Sequence, residues 1–277
     1  MRAGRALEGA PPCAIAPDVA ETFLFLLSAH LLADFVLQDR WMVERKRRAE
    51  VFALHVALVA GLAWLALVST RPEAWAAVII IAATHAAMDW VKLRRLGAGL
   101  WPFALDQAVH VAVIAIIAAT WPDLWAQGAW GALAPSERQG AIMGAAVLAG
   151  GIAAVRVGAV VLREAIRVLG WENEAHGKSL PGAGALIGQL ERALILFFML
   201  TGQATGVALL IGAKAVLRIR DEDRRHSEYV IAGTLMSFGW ALGVAALTQA
   251  ALARWAPAPA MPAPSACVQC TPAKAAR

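Results

Sequence analysis

Apolar runs of about 20 residues, almost free of charge, recur along the whole chain. They cover 19–39, 51–69, 73–91, 101–121, 139–162, 184–201, 203–219 and 229–250. At 1.5 Å per residue, helices of this length approach or exceed the ~30 Å thickness of a hydrocarbon layer. The period-two alternation of a membrane barrel strand is missing from all of them. The pattern predicts an all-α polytopic integral membrane bundle with eight transmembrane helices.

The polar connections between the runs alternate in character. Arg40, Arg45, Lys46, Arg47 and Arg48 follow the first run, and Lys92, Arg94 and Arg95 follow the third. Arg163, Arg167 and Lys178 follow the fifth, and Arg218, Arg220, Arg224 and Arg225 precede the eighth. The other connections hold only Arg71 and Arg138. An excess of Lys and Arg marks the cytoplasmic side, so both termini are expected outside. The organisation that follows is an N-terminal extension (1–18), a first four-helix half (19–121), an external loop (122–138), a second four-helix half (139–250) and a Pro/Ala-rich flexible tail (251–277).

Composition agrees with this reading. The chain of 277 residues is 60% hydrophobic and only 16% charged, where a soluble domain is nearer a quarter. A net charge of +5 invites a nucleic-acid partner, but the basic residues sit in short loops between apolar helices. The expected partners are membrane lipids, and nucleic acid is excluded. Trp41, Trp101, Trp121 and Trp125 lie at run ends, where interfacial anchors belong. Residues 1–18 lack the basic-then-apolar order of a cleavable signal. Cys13 stands alone, and Cys267 and Cys270 form a single CxxC in the tail, which reads as an incidental or structural pair.

The chemistry concentrates in the first half. His30 and Asp34, His85 and Asp89, and Asp106 and His110 are pairs four residues apart, and His55 stands by itself. Residues at this spacing share a helix face. With the topology above, all seven lie roughly 3–13 Å from the cytoplasmic boundary. An aspartate at mid-bilayer costs roughly 2.5–3.5 kcal/mol, so these groups must face one another, water or an ion. Imidazole and carboxylate together are the ligand set of a divalent metal ion: Zn, Fe or Mn. Such an ion can activate water for hydrolysis, with Asp34 or Asp106 as the catalytic base. Position at the inner interface points to a lipid-like ester or phosphoester substrate. An ion- or proton-coupled transporter, or a structural module with buried hydrogen bonds, uses the same residue types. The chain has no HExxH, GxSxG or P-loop motif.

Further polar groups lie toward the same side: Gln38 and Gln107 beside the pairs, and Glu191, Arg192 and Lys214 in the second half. They are candidates for substrate head-group binding, and Glu191 with Lys214 or Arg192 is equally an interhelical ion pair. Arg156, in the fifth run, reads as a snorkelling side chain. Gly184-x3-Gly188 and Gly202-x3-Gly206 permit close helix contact.

The segments AHLLADFVLQ (29–38), His55, THAAMDW (84–90) and LDQAVH (105–110) resemble the bacterial membrane family called domain of unknown function 3307. GALIGQLERALI (184–195), IGAKAVLRI (211–219) and SEYVIAGTLMSF (227–238) resemble its C-terminal portion, so the resemblance spans about 20–245. It implies a multi-pass protein of the bacterial cytoplasmic (inner) membrane and no defined activity. The His/Asp spacing is also similar to that of membrane-bound metal-dependent hydrolases, which implies a metal and a hydrolytic reaction.

Overall fold

A computed structural model describes residues 19–171, 182–218 and 224–256. The N-terminal extension, Lys178, Arg220, the Cys267/Cys270 pair and the Pro/Ala-rich stretch from Pro257 onward lie outside the described residues. The described residues are helical apart from short connections and contain no strand. The helices are α1 (Val19–Leu32), α2 (Arg40–Arg45), α3 (Ala49–Leu67), α4 (Pro72–Val91), α5 (Leu100–Thr120), α6 (Pro135–Ile152), α7 (Gly158–Val168), α8 (Ala183–Leu200), α9 (Ala204–Arg218) and α10 (Arg224–Arg254). The last helix carries on past residue 250, where the tail was expected to begin.

Among the described residues, seven helical segments are long and apolar enough to cross a membrane. They are Val19–Leu37, Ala49–Leu67, Pro72–Leu96, Leu100–Thr120, Pro135–Val168, Ala183–Leu200 and Ile231–Arg254. The eighth expected crossing corresponds to α9, which is apolar but has 15 residues. Its described part ends at Arg218, where the described residues stop, and covers about 22 Å. Burial is reversed relative to a soluble protein. Ile79, Ile116, Leu209, Leu235 and Leu247 are each more than half exposed, while histidines and aspartates are buried. An apolar belt around a polar interior is the arrangement of a multi-pass membrane protein.

α1 packs against α3, α5 and α6, α3 against α4, and α4 against α5. α1, α3, α4 and α5 thus close a ring. Its interior is divided by polarity. Leu26, Leu67, Ile114, Ile117 and Trp125 fill one end, and the His/Asp residues occupy the other. The apolar end is sealed by the 122–134 connection. Thr22 Oγ1 donates to Pro122 O (2.7 Å) and accepts from Trp125 N (3.2 Å). Trp125 is fully buried with its ring 4.7 Å from that of Phe25, so it is a core residue, and the expected interfacial anchor is corrected on this point. Trp101 and Trp41 are exposed, as anchors are. Gly128 lies so close to the Leu67 carbonyl that no side chain fits there.

Three helical runs pass through π turns, where one extra residue widens the helix: Ala33–Leu37, Lys92–Leu96 and Ala153–Val157. The third interrupts the 34-residue rod of α6 and α7. Its displaced carbonyls are satisfied from neighbouring helices. Arg192 Nε donates to Ala154 O (2.9 Å), Arg192 Nη2 to Val155 O (3.1 Å), and Trp240 Nε1 to Ala153 O (2.9 Å). Arg156 points outward from the same turn and is exposed.

Close helix contact in the second half depends partly on other glycines than the spacing suggested. A Cβ on Gly184 or Gly202 would meet open space, whereas one on Gly158 would lie 2.7 Å from the Trp240 ring and 3.0 Å from Arg192 Nε. Gly158→Ala is therefore expected to lower stability by about 1–3 kcal/mol through overpacking. Gly184→Ala should leave it unchanged. Thermal melts of the two variants in detergent check this, and equal melting temperatures would remove Gly158 from the packing argument.

Candidate metal centre

Four helices deliver the seven predicted residues to the polar end of the ring: α1 with its π turn (His30, Asp34), α3 (His55), α4 (His85, Asp89) and α5 (Asp106, His110). The α-helical pairs keep close contact, with His85 Nε2 3.4 Å from Asp89 Oδ2 and His110 Nε2 3.3 Å from Asp106 Oδ1. The first pair is looser. Asp34 lies in the widened turn, and its Oδ2 is 3.9 Å from His30 Nδ1. The extra residue carries the Asp34 carboxylate away from its own helix and toward α3 and α4.

At the heart of the cluster His55 Nε2 and His85 Nε2 are 3.0 Å apart, with a carboxylate on either side. Asp34 Oδ1 is 3.5 Å from each of the two nitrogens, and Asp89 Oδ2 is 3.4 Å from each. The four atoms form two triangles sharing the imidazole edge. Bonds of about 2.0–2.1 Å to a tetrahedral ion place neighbouring ligand atoms about 3.3–3.4 Å apart. Either triangle therefore matches three corners of such a site. Asp34 Oδ1 is buried without a hydrogen-bond partner. Two imidazole nitrogens at this distance cannot both present lone pairs, so a proton or a cation must lie between them.

The remaining members surround this core. Gln107 accepts from His30 Nε2 (3.2 Å) and donates to Asp34 Oδ2 (3.4 Å) and Asp106 Oδ2 (3.1 Å). It spends its whole amide in holding the two carboxylates and His30 in place. The His85 and His110 rings stack with centroids 4.0 Å apart. Asp89, Asp106 and His110 form a further group that could hold an ion.

Two lysines complete the centre. Lys46 Nζ is 2.6 Å from Asp89 Oδ2, and Lys92 Nζ is 2.7 Å from Asp106 Oδ2. Both were read from sequence only as topology-setting loop charges. The available signal was their type and place, since a lysine directly beyond an apolar run can fold its stem back along the helix. Three carboxylates against two ammoniums leave one negative charge, which a cation or a proton offsets.

The second-half candidates do not join this centre. Glu191 Oε2 pairs with Lys214 Nζ (2.6 Å), and Arg192 is buried on the π-turn carbonyls and on Ser237 Oγ (3.1 Å). Their polar atoms are taken up between α8, α9, α10 and the π turn, so the expected head-group role is replaced by interhelical bonding. That π turn packs against the turn bearing Asp34, so the second half buttresses the centre from behind. Gln38 is partly buried, its Nε2 has no hydrogen-bond partner, and it makes no hydrogen bond to the cluster.

Residues 22–130 match the model of a family described as a protein of unknown function (DUF3307). This stretch contains all seven His/Asp residues, Gln107, Lys46 and Lys92, and it supports the expected resemblance over the first half of the chain. No curated protein and no solved structure matches the chain.

Removing one member of a buried ion pair typically costs about 3–5 kcal/mol, because the other charge is left uncompensated. Lys46→Met is expected to destabilise the metal-free protein on that scale, whereas Lys46→Arg, which keeps the charge, should recover much of the loss. Melting curves in detergent test this, and a Lys46→Met variant as stable as the parent would show that Asp89 is neutralised by another group.

Proposed function

We propose that this chain is a multi-pass protein of the bacterial cytoplasmic membrane whose His/Asp centre binds a divalent metal ion and hydrolyses a lipid-like ester or phosphoester at the cytoplasmic leaflet. The observation that carries the reading is the pair of Nε2 atoms 3.0 Å apart with the unpartnered Asp34 Oδ1 3.5 Å from both. His55, His85 and Asp34 are then the ligands. Three protein ligands and one open position are the pattern of catalytic rather than structural zinc. When bound, the ion would polarise a water molecule and the substrate oxygen.

The chain's own groups take the other parts. Asp89, across the imidazole pair and held by Lys46, lies where a water proton would be released and accepts it. This moves the base from Asp34 or Asp106, where the spacing had put it, to Asp89. Gln107 orients Asp34, and His30 and His110 wall the site. The basic connections at this end favour the cytoplasmic side, with both helix ends Val19 and Arg254 toward the outside and α9 as an eighth crossing. Ion translocation is the weaker reading, because the ring beyond the centre is filled by apolar side chains such as Ile114, Ile117 and Leu67.

The test begins with metal analysis of the purified full chain after supplementation with Zn²⁺, Mn²⁺ or Fe²⁺. About one tightly held equivalent is expected, and His85→Gln and Asp34→Asn should each reduce it by more than tenfold while the protein still melts cooperatively. Wild type that retains none of the three ions would sink the reading. Esterase and phosphoesterase assays on short-chain lipids should then show activity abolished by a chelator and restored by the ion, and activity indifferent to the chelator would remove the metal from the reaction.

A further inference from the structure

We infer that the substrate of this centre carries a phosphoryl group, and that Lys92 is the side chain that recognises it. The inference rests on the metal-hydrolase reading and narrows it. Three carboxylates, two ammoniums and one divalent ion sum to a single positive charge within the ring. An uncompensated charge in so enclosed a site is costly, so the loaded centre takes up an anion. A neutral carboxylic ester brings no charge, whereas a phosphomonoester or phosphodiester brings one or two.

The route into the site has the matching sign. Lys92 is 27% exposed, while the side chains of Asp34, His55, His85, Asp89, Asp106 and His110 are all at or below 8%, so it marks the solvent side of the centre. It begins the π turn Lys92–Leu96, which also carries the exposed Arg94 and Arg95. This basic face attracts a phosphate. An ammonium has three donors, and Lys92 uses one on Asp106 Oδ2 at 2.7 Å, which leaves donors for a phosphoryl oxygen. On its inner side the centre borders a cavity of about 10 Å³ among His30, His85, His110, Thr84 and Val113. That is room for roughly one water and not for a phosphoryl group, whereas the partly exposed Lys92 lies at the more open face.

The chemistry balances without a redox partner. Water oxygen bonds to phosphorus, the bond from phosphorus to the alkoxide oxygen breaks, and the water proton passes through Asp89 to the leaving alkoxide.

The experiment uses the zinc-loaded full chain in detergent and isothermal titration with inorganic phosphate, a short-chain phosphatidic acid and the corresponding neutral diacylglycerol. Both phosphate-bearing probes should bind and the diacylglycerol should not. Lys92→Met should weaken them at least tenfold with zinc content unchanged, and Lys92→Arg should stay within about threefold of wild type. Tighter binding of phosphatidic acid than of phosphate assigns the phosphoryl group to a lipid headgroup, and equal binding assigns it to a soluble phosphoester. Zinc-loaded protein that binds neither phosphate probe, or binds both equally well after Lys92→Met, overturns the inference while leaving the metal reading intact. A chain that holds no zinc overturns both.

Discussion

Three aspartates inside a ring of apolar helices must be neutralised, and most of what is distinctive in this fold answers that requirement. A carboxylate removed from water costs several kcal/mol unless it is paired and hydrogen-bonded. Asp89 and Asp106 each receive a lysine from outside the apolar run, at 2.6 and 2.7 Å. Asp34 receives only imidazoles and the Gln107 amide. The centre is therefore asymmetric: two carboxylates have ammonium partners, and the third has only imidazoles and an amide.

The π turns are the local device that makes the pairings fit. An ordinary α-helix would keep Asp34 beside His30, as Asp89 stays beside His85. The widened turn at Ala33–Leu37 releases it toward His55 and His85. The turn at Lys92–Leu96 follows α4 directly, and its first residue reaches α5. The third turn creates free carbonyls that Arg192 and Trp240 fill, and it packs behind the first. Widening a helix leaves backbone groups without their usual partners; Arg47 Nη2 donates to Leu93 O (3.2 Å) in the second turn, and Arg192 and Trp240 serve the third.

The convergence of His30, Asp34, His55, His85, Asp89, Asp106 and His110 was legible in the sequence, because helical spacing and a common depth left them few directions to face. Gln107 was singled out only as a head-group candidate, because adjacent residues do not share a helix face and its bonds to Asp34 and Asp106 had no spacing signal. Lys46 and Lys92 were not, since a lysine at a helix end serves topology and ion pairing alike and spacing does not separate the two. Trp125 misled because a tryptophan near a helix end is usually interfacial, and only the fold of the 122–134 connection reveals that it turns inward onto Phe25. For Arg192 the sequence left head-group binding and interhelical bonding both open, because a π turn leaves no Gly or Pro signature at 153–157 and the carbonyls that hold it were invisible. The run expected at 203–219 matches α9 over all of its described residues, Ala204–Arg218.

The two lysine pairs also bear on the order in which the chain is made. Synthesis proceeds from the N-terminus at about 5–20 residues per second. Lys46 precedes Asp89, and Lys92 precedes Asp106, so each of these aspartates emerges after its counter-ion already waits at the membrane surface. Asp34 emerges first and has no earlier partner, and it is also the aspartate nearest its helix end. Charge is thus never left to accumulate as successive helices arrive. A nascent chain with Lys46 and Asp89 exchanged would have to thread an unpaired carboxylate first and find its cation dozens of residues later.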